Sequence, residues 1–190
     1  GGKSTNGIVS GNQIYIKGNQ TNSLFLGNSQ VTNNKITIDG RMKTVYFVDS
    51  NKELASDILI DNNALIYNFD DTSDDYTLPQ ASGGFYQTGR TGCTFVDIAS
   101  KSVKDDYCVY ISNNQIKAPL CTTRNKHLIR YTNPSFTVSI TKNKLQKFFY
   151  LRGISEANQD KIIYSNNCDS KGNALNKSDW LFENALKDTD

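Results

Sequence analysis

Few of the residues that mark a reaction or a membrane are present in this chain. Histidine, methionine and tryptophan occur once each and proline three times in 190 residues. A single histidine, His127, rules against a histidine-based metal centre or a Ser-His-Asp triad. It falls in His127-Leu-Ile-Arg130-Tyr, a strand pattern beside Lys126 and Arg130. Three prolines exclude a proline-rich linker or an extended polyproline segment. No apolar run approaches the ~20 residues of a membrane-spanning helix. The net charge is only +2, weak for a nucleic-acid-binding domain. The four cysteines, Cys93, Cys108, Cys121 and Cys168, include no C-x-x-C pair, which removes the usual zinc and redox signatures.

Asparagine and aromatics are what the chain has in quantity. There are 22 asparagines, ten tyrosines and nine phenylalanines. The aromatics exclude disorder. Asparagine tolerates left-handed backbone and ends strands, so its abundance predicts many turns. At this length one domain, 1–190, is expected, with 1–11 as a flexible N-terminal segment truncated from an upstream signal or anchor.

Short apolar runs recur along the chain, separated by Gly, Asn, Asp and Ser. They predict strands at 13–17, 23–26, 35–38, 43–48, 57–60, 64–69, 94–98, 107–112, 115–117, 127–131, 136–141 and 147–152, with 162–164 as a weaker candidate. Three short turns read as hairpins: Asp39-Gly40, Asn113-Asn114 and the segment 141–144. Helical signal is confined to 178–186, where Ser178 is a suitable N-cap. No internal repeat emerges from counting. The expected fold class is therefore mainly β: an antiparallel sheet or sandwich of many short strands with a short C-terminal helix, braced by disulfides.

Cysteine spacing fits bracing better than chemistry. A hairpin at 94–112 would place Cys93 opposite Cys108, leaving Cys121 to Cys168. Cys108–Cys121 is a rival, and sequence alone leaves the three connectivities open. Disulfides would place the domain outside the cytoplasm: secreted, periplasmic or at the cell surface.

Charge is unevenly distributed. Between Thr44 and Gly89 stand Asp49, Glu53, Asp57, Asp61, Asp70, Asp71, Asp74 and Asp75 against Lys52 alone. Between Tyr107 and Ser155 stand Lys117, Arg124, Lys126, Arg130, Lys142, Lys144, Lys147 and Arg152, with no acid. The chain is thus dipolar along its length. Gly2-Lys3-Ser4-Thr5 has the tail of a phosphate loop but neither the preceding strand nor the following helix. Residues 167–173 approach a calcium-loop rhythm, yet Lys171 stands at a ligand position. No cofactor or metal is expected.

With no nucleophile–base pair, metal cluster or phosphate loop, the chain reads as a non-enzymatic interaction module. Its acidic face (Asp70, Asp71, Asp74, Asp75) would meet the basic face of a neighbour in a filament or other self-assembly. A soluble binder of glycan or nucleic acid through 117–152, with aromatics stacking beside the charges, is the second reading. A hydrolase using the carboxylates of Asp70–Asp75 is the third. No family motif matches residue by residue. In general plan, a polar β domain with a late disulfide, the chain is similar to the soluble part of type IV pilin-like proteins.

Overall fold

Alternation of buried and half-buried positions runs through the short strands, as in Lys35–Asp39, Ile58–Asp61, Ala64–Asn68 and Thr137–Thr141. Each strand therefore has one face to the core and one to the outside. A computed structural model describes residues 7–17, 20–27, 30–39, 42–49, 57–68, 93–98, 108–118, 126–131, 137–146, 150–152, 159–176 and 181–182.

Three six-stranded sheets account for the strands, and each takes every third strand of the chain. The first sheet holds β1 (Ile8–Ser10), β4 (Gln30–Thr32), β7 (Ile58–Asp61), β10 (Cys108–Ser112), β13 (Thr137–Thr141) and β16 (Ile162–Ser165). The second holds β2 (Gln13–Lys17), β5 (Lys35–Asp39), β8 (Ala64–Asn68), β11 (Gln115–Lys117), β14 (Lys144–Leu145) and β17 (Cys168–Asp169). The third holds β3 (Gln20–Gly27), β6 (Met42–Asp49), β9 (Cys93–Ile98), β12 (Lys126–Tyr131), β15 (Tyr150–Arg152) and β18 (Leu181–Phe182). Every strand pairs with its counterpart one turn away, always in parallel. The chain is a parallel β-solenoid in which each coil passes once through all three sheets.

The core is a set of apolar columns along the solenoid axis. On the first sheet, Val31, Ile60, Ile111 and Ile140 stack in register and are fully buried. On the second, Ile36, Leu65, Ile116 and Leu145 do the same. Tyr67, the largest fully buried side chain, lies beside Ile38 in the next inward column. Branched aliphatics suit such columns, because a pleated surface packs them without rotamer cost. Each buried Val, Ile or Leu is stabilised by roughly 1.5–3 kcal/mol.

The passage from first to second sheet is always two residues: 11–12, 33–34, 62–63, 113–114, 142–143 and 166–167. The first of each pair has positive φ: Gly11 (72°), Asn33 (57°), Asn62 (53°), Asn113 (53°), Lys142 (56°) and Asn166 (56°). Asparagine and glycine accept this backbone at little cost. Only one residue per corner is left-handed, whereas a type I′ hairpin needs two. The strands on either side of each corner pair with other coils and not with each other, so the chain bends onto a new sheet instead of reversing.

Several expectations are corrected here. The sheets are parallel, not antiparallel, and the turns at 113–114 and 141–144 are corners between sheets. The strand following Lys35–Asp39 is likewise not its hairpin partner: β5 pairs with β2 and β8, and β6 with β3 and β9. The C-terminal helix is overturned at Leu181–Phe182, a strand that pairs in parallel with β15; the remainder of 178–186 lies outside the described residues. The disulfide bracing fails with the hairpin that motivated it. Cys93 pairs with Lys126 on the third sheet, while Cys108 pairs with Thr137 on the first. Cys108 and Cys168 are free thiols, and no disulfide forms among the described residues; Cys121 lies outside them. The pilin-like plan, and with it the expectation of a pilus, adhesion and secretion, loses the late disulfide on which it rested.

Candidate functional site

At the invariant corner, the second residue is always asparagine: Asn12, Asn34, Asn63, Asn114, Asn143 and Asn167. Their amides form a continuous ladder. Asn63 Nδ2 donates to Val31 O at 2.7 Å and to Asn114 Oδ1 at 3.0 Å, and its backbone N–H reaches the same Oδ1 at 3.0 Å. Asn114 repeats this with Ile60 O (2.9 Å) and Asn143 Oδ1 (3.0 Å), and Asn143 with Ile111 O (2.8 Å) and Asn167 Oδ1 (3.0 Å). The interior members are at most 2% exposed. Each buried amide thus satisfies its own side chain and the strand-end carbonyl of the coil before it, as burial of polar groups requires. This row is structural, and its interior amides, Asn34, Asn63, Asn114 and Asn143, have no capacity left for a ligand.

Asn167 is therefore committed to the ladder and unavailable to a calcium loop. Asp169 is equally occupied. Its Oδ1 accepts the backbone N–H of Lys171 (2.8 Å) and Asn173 (2.9 Å), and its Oδ2 accepts Asn173 Nδ2 (2.9 Å). The Asn173 bonds hold its carboxyl below the usual range. Among the described residues no group of three or more His, Cys, Asp and Glu could hold a metal ion, and no helix is long and apolar enough to cross a membrane.

Outside the corner, a polar row runs along the first sheet: Ser10, Thr32, Asp61, Ser112, Thr141 and Ser165. Its members bond one another, Ser112 Oγ to Asp61 Oδ1 at 2.6 Å and Thr32 Oγ1 to Ser10 Oγ at 3.0 Å. Tyr110 lies beside this row, 40% exposed, its phenol pushed up by a hydrogen bond with Cys108. On the second sheet Tyr15 OH donates to Asp39 Oδ2 at 3.0 Å, which raises the Tyr15 phenol. These pairs tie neighbouring positions together.

The basic stretch 117–152 does not form one face. Lys117 and Lys144 stand on second-sheet strands β11 and β14, and Lys142 on a corner. Lys126 and Arg130 belong to β12 and Arg152 to β15, both on the third sheet. Arg124 and Lys147 lie outside the described residues, as do Asp70, Asp71, Asp74 and Asp75. His127 sits on β12 in register with Thr94 and Tyr150.

What the topology brings together is a column that sequence reasoning missed. Asp49 pairs with Asp97, Asp97 with Arg130, and Arg130 with Arg152. Immediately before it runs an apolar column, Gly27, Val48, Val96, Ile129, Leu151 and Phe182. The signal is a recurring tripeptide of two apolar residues and a charge: Phe47-Val48-Asp49, Phe95-Val96-Asp97, Leu128-Ile129-Arg130 and Tyr150-Leu151-Arg152. Asp97 carried no signal of its own, because it falls outside both charge-biased stretches. Asn28 and Glu183 follow Gly27 and Phe182 in sequence and lie outside the described residues.

The third sheet is also where coil length varies. The intervals leading into it are 18–19, 40–41, 69–92, 118–125, 146–149 and 170–180; those leaving it are 28–29, 50–57, 99–107, 132–136 and 153–161. Comparison of the chain with protein-family models, curated proteins and solved structures finds no match to any of them.

Proposed function

We propose that this solenoid is a non-enzymatic interaction module working through its third sheet. The observation that carries this reading is the asymmetry of the coil. The first-to-second corner is invariant in length and closed by a saturated amide ladder, whereas both flanks of the third sheet accept insertions. In repeat architectures, insertions gather on one face, which is often the face that binds. The in-register charges at Asp49, Asp97, Arg130 and Arg152 lie on that sheet, so its contacts are electrostatic in character and set orientation and encounter rate more than affinity. The acidic and basic stretches read from sequence contribute there through Asp49, Arg130, Arg152 and Lys126.

A second reading, a polyanion binder, is favoured by Lys126, Arg130 and Arg152 lying on the adjacent strands β12 and β15. Export rested on the disulfides, so it does not belong to this proposal.

Hydrogen–deuterium exchange locates the working face whatever the partner is. Exchange is measured in dilute protein, in concentrated protein, and with a heparin oligosaccharide as a model polyanion. Added protection is expected within 42–49, 93–98, 126–131 and 150–152 under at least one of the last two conditions. Protection confined to first-sheet strands, or absent under both, overturns the proposal.

A further inference from the structure

The order of charges along the third-sheet column is acid, acid, base, base. Adjacent parallel strands lie about 4.8 Å apart, so the column spans about 14 Å from Asp49 to Arg152. Like charges in neighbouring register positions are unfavourable, and this column has two such register pairs, Asp49 with Asp97 and Arg130 with Arg152, against one pair of opposite sign, Asp97 with Arg130. An order chosen for the stability of the isolated solenoid would alternate the signs. Four ionised groups in one register column would be too costly for a dry solenoid core.

A sequence of charges reading acid, acid, base, base is complementary to itself when reversed. A two-fold axis perpendicular to the solenoid axis, lying along the strands, reverses the column and turns two third sheets toward each other. Asp49 then stands opposite Arg152 of the second copy and Asp97 opposite Arg130 of the second copy, and both relations are repeated by symmetry. All four charges gain an opposite partner, and both like-charge register pairs are offset.

We propose that the third sheet is the interface of an isologous dimer of this chain, registered by Asp49, Asp97, Arg130 and Arg152. The inference rests on the third sheet being the working face and adds the identity of the partner, a second copy. It also changes the kind of assembly. Contact between unlike patches builds open chains, whereas a self-complementary column closes after two copies.

Sedimentation velocity on the folded full chain tests this with three variants. D49R/D97R makes the column wholly basic and R130D/R152D makes it wholly acidic. D49R/D97R/R130D/R152D inverts it while keeping it self-complementary. The expected result is a dimer for the wild-type chain and the inverted variant, weakened by added salt. Each half-swapped variant alone is monomeric, and the two together form a mixed dimer. Circular dichroism establishes that each variant is folded, and recovery in the inverted variant excludes general damage as the cause. A wild-type chain that stays monomeric when concentrated overturns the proposal, as does a dimer that survives in the half-swapped variants. If the dimer fails while heparin still protects the third sheet from exchange, the working face stands and only the partner is wrong. If protection falls elsewhere, both fail.

Discussion

At the scale of single residues, asparagine has two uses in this protein. At the first corner position Asn33, Asn62, Asn113 and Asn166 supply the left-handed backbone, and Gly11 and Lys142 replace them in the other coils. At the second position the amide itself is needed, and no other residue type occurs. The side chain must donate twice and accept twice, which only a carboxamide of this length does at a sharp bend. Asn114→Ala removes donors to Ile60 O and Asn143 Oδ1 and the acceptor used by Asn63. The expected cost is about 3–4 kcal/mol in urea unfolding, because several buried groups lose their partners together. Asn12 is exposed and ends the ladder, bonding Asn34 Oδ1 at 2.9 Å. Asn12→Ala is expected to cost about 1 kcal/mol. Equal costs at the two sites would show that the ladder is not a buried network. The abundance of asparagine is plain in the sequence, but it points only to turns. The ladder is not legible there because its members are separated by 22, 29, 51, 29 and 24 residues, so no fixed period exists to be counted.

At the scale of elements, strand positions are readable because alternation of apolar and polar residues is local. β2, β5, β8, β10, β11 and β13 fall where Ile, Val and Tyr alternate with polar neighbours. β1, β4, β14 and β17 are not, being only two or three residues long; β11 is as short but stands out behind Asn113-Asn114 as the second arm of an expected hairpin. The last coil carries a further element between β17 and β18. After β17 the chain turns at Gly172 (φ 91°) and Ala174 makes an antiparallel bridge to Cys168, while Leu175 N–H bonds Asn167 O at 2.9 Å. This turn covers the edge of the second sheet, a protection that solenoid ends need. Asp169 holds the turn through its carboxylate, and its folded-state pKa is lowered by Asn173, Lys171 and Gly172. A lowered carboxylate stabilises the fold above its unfolded value, and that contribution is lost as pH falls through the folded value. By NMR titration, Asp169 should therefore protonate below ordinary aspartates, with the Lys171 and Asn173 amide resonances shifting in step. Asp169→Asn should abolish that acid-range transition, and an ordinary aspartate titration would contradict the role.

At the scale of the whole molecule, the cysteines lose the part that their spacing implied. Clamps across hairpins need consecutive strands to be neighbours; in a solenoid, consecutive strands lie on different sheets, and Cys93 and Cys108 are carried apart. Cys108 and Cys168, half-buried free thiols, should both be modified by iodoacetamide in the unreduced, denatured chain. Mass mapping that finds either one protected by a disulfide would contradict the fold at that point. The chemistry of strands and bends was determined by sequence alone: where the chain extends, where it needs a left-handed residue, and that few residues suit catalysis. The direction of each bend was not, since a positive-φ residue serves a hairpin and a solenoid corner equally well. Pairing belongs to strands one coil apart, set by stacking of apolar columns and closure of the amide ladder across intervals of unequal length. Only that stacking could bring Asp49, Asp97, Arg130 and Arg152 into one column, because register between coils is a tertiary property that no local pattern records.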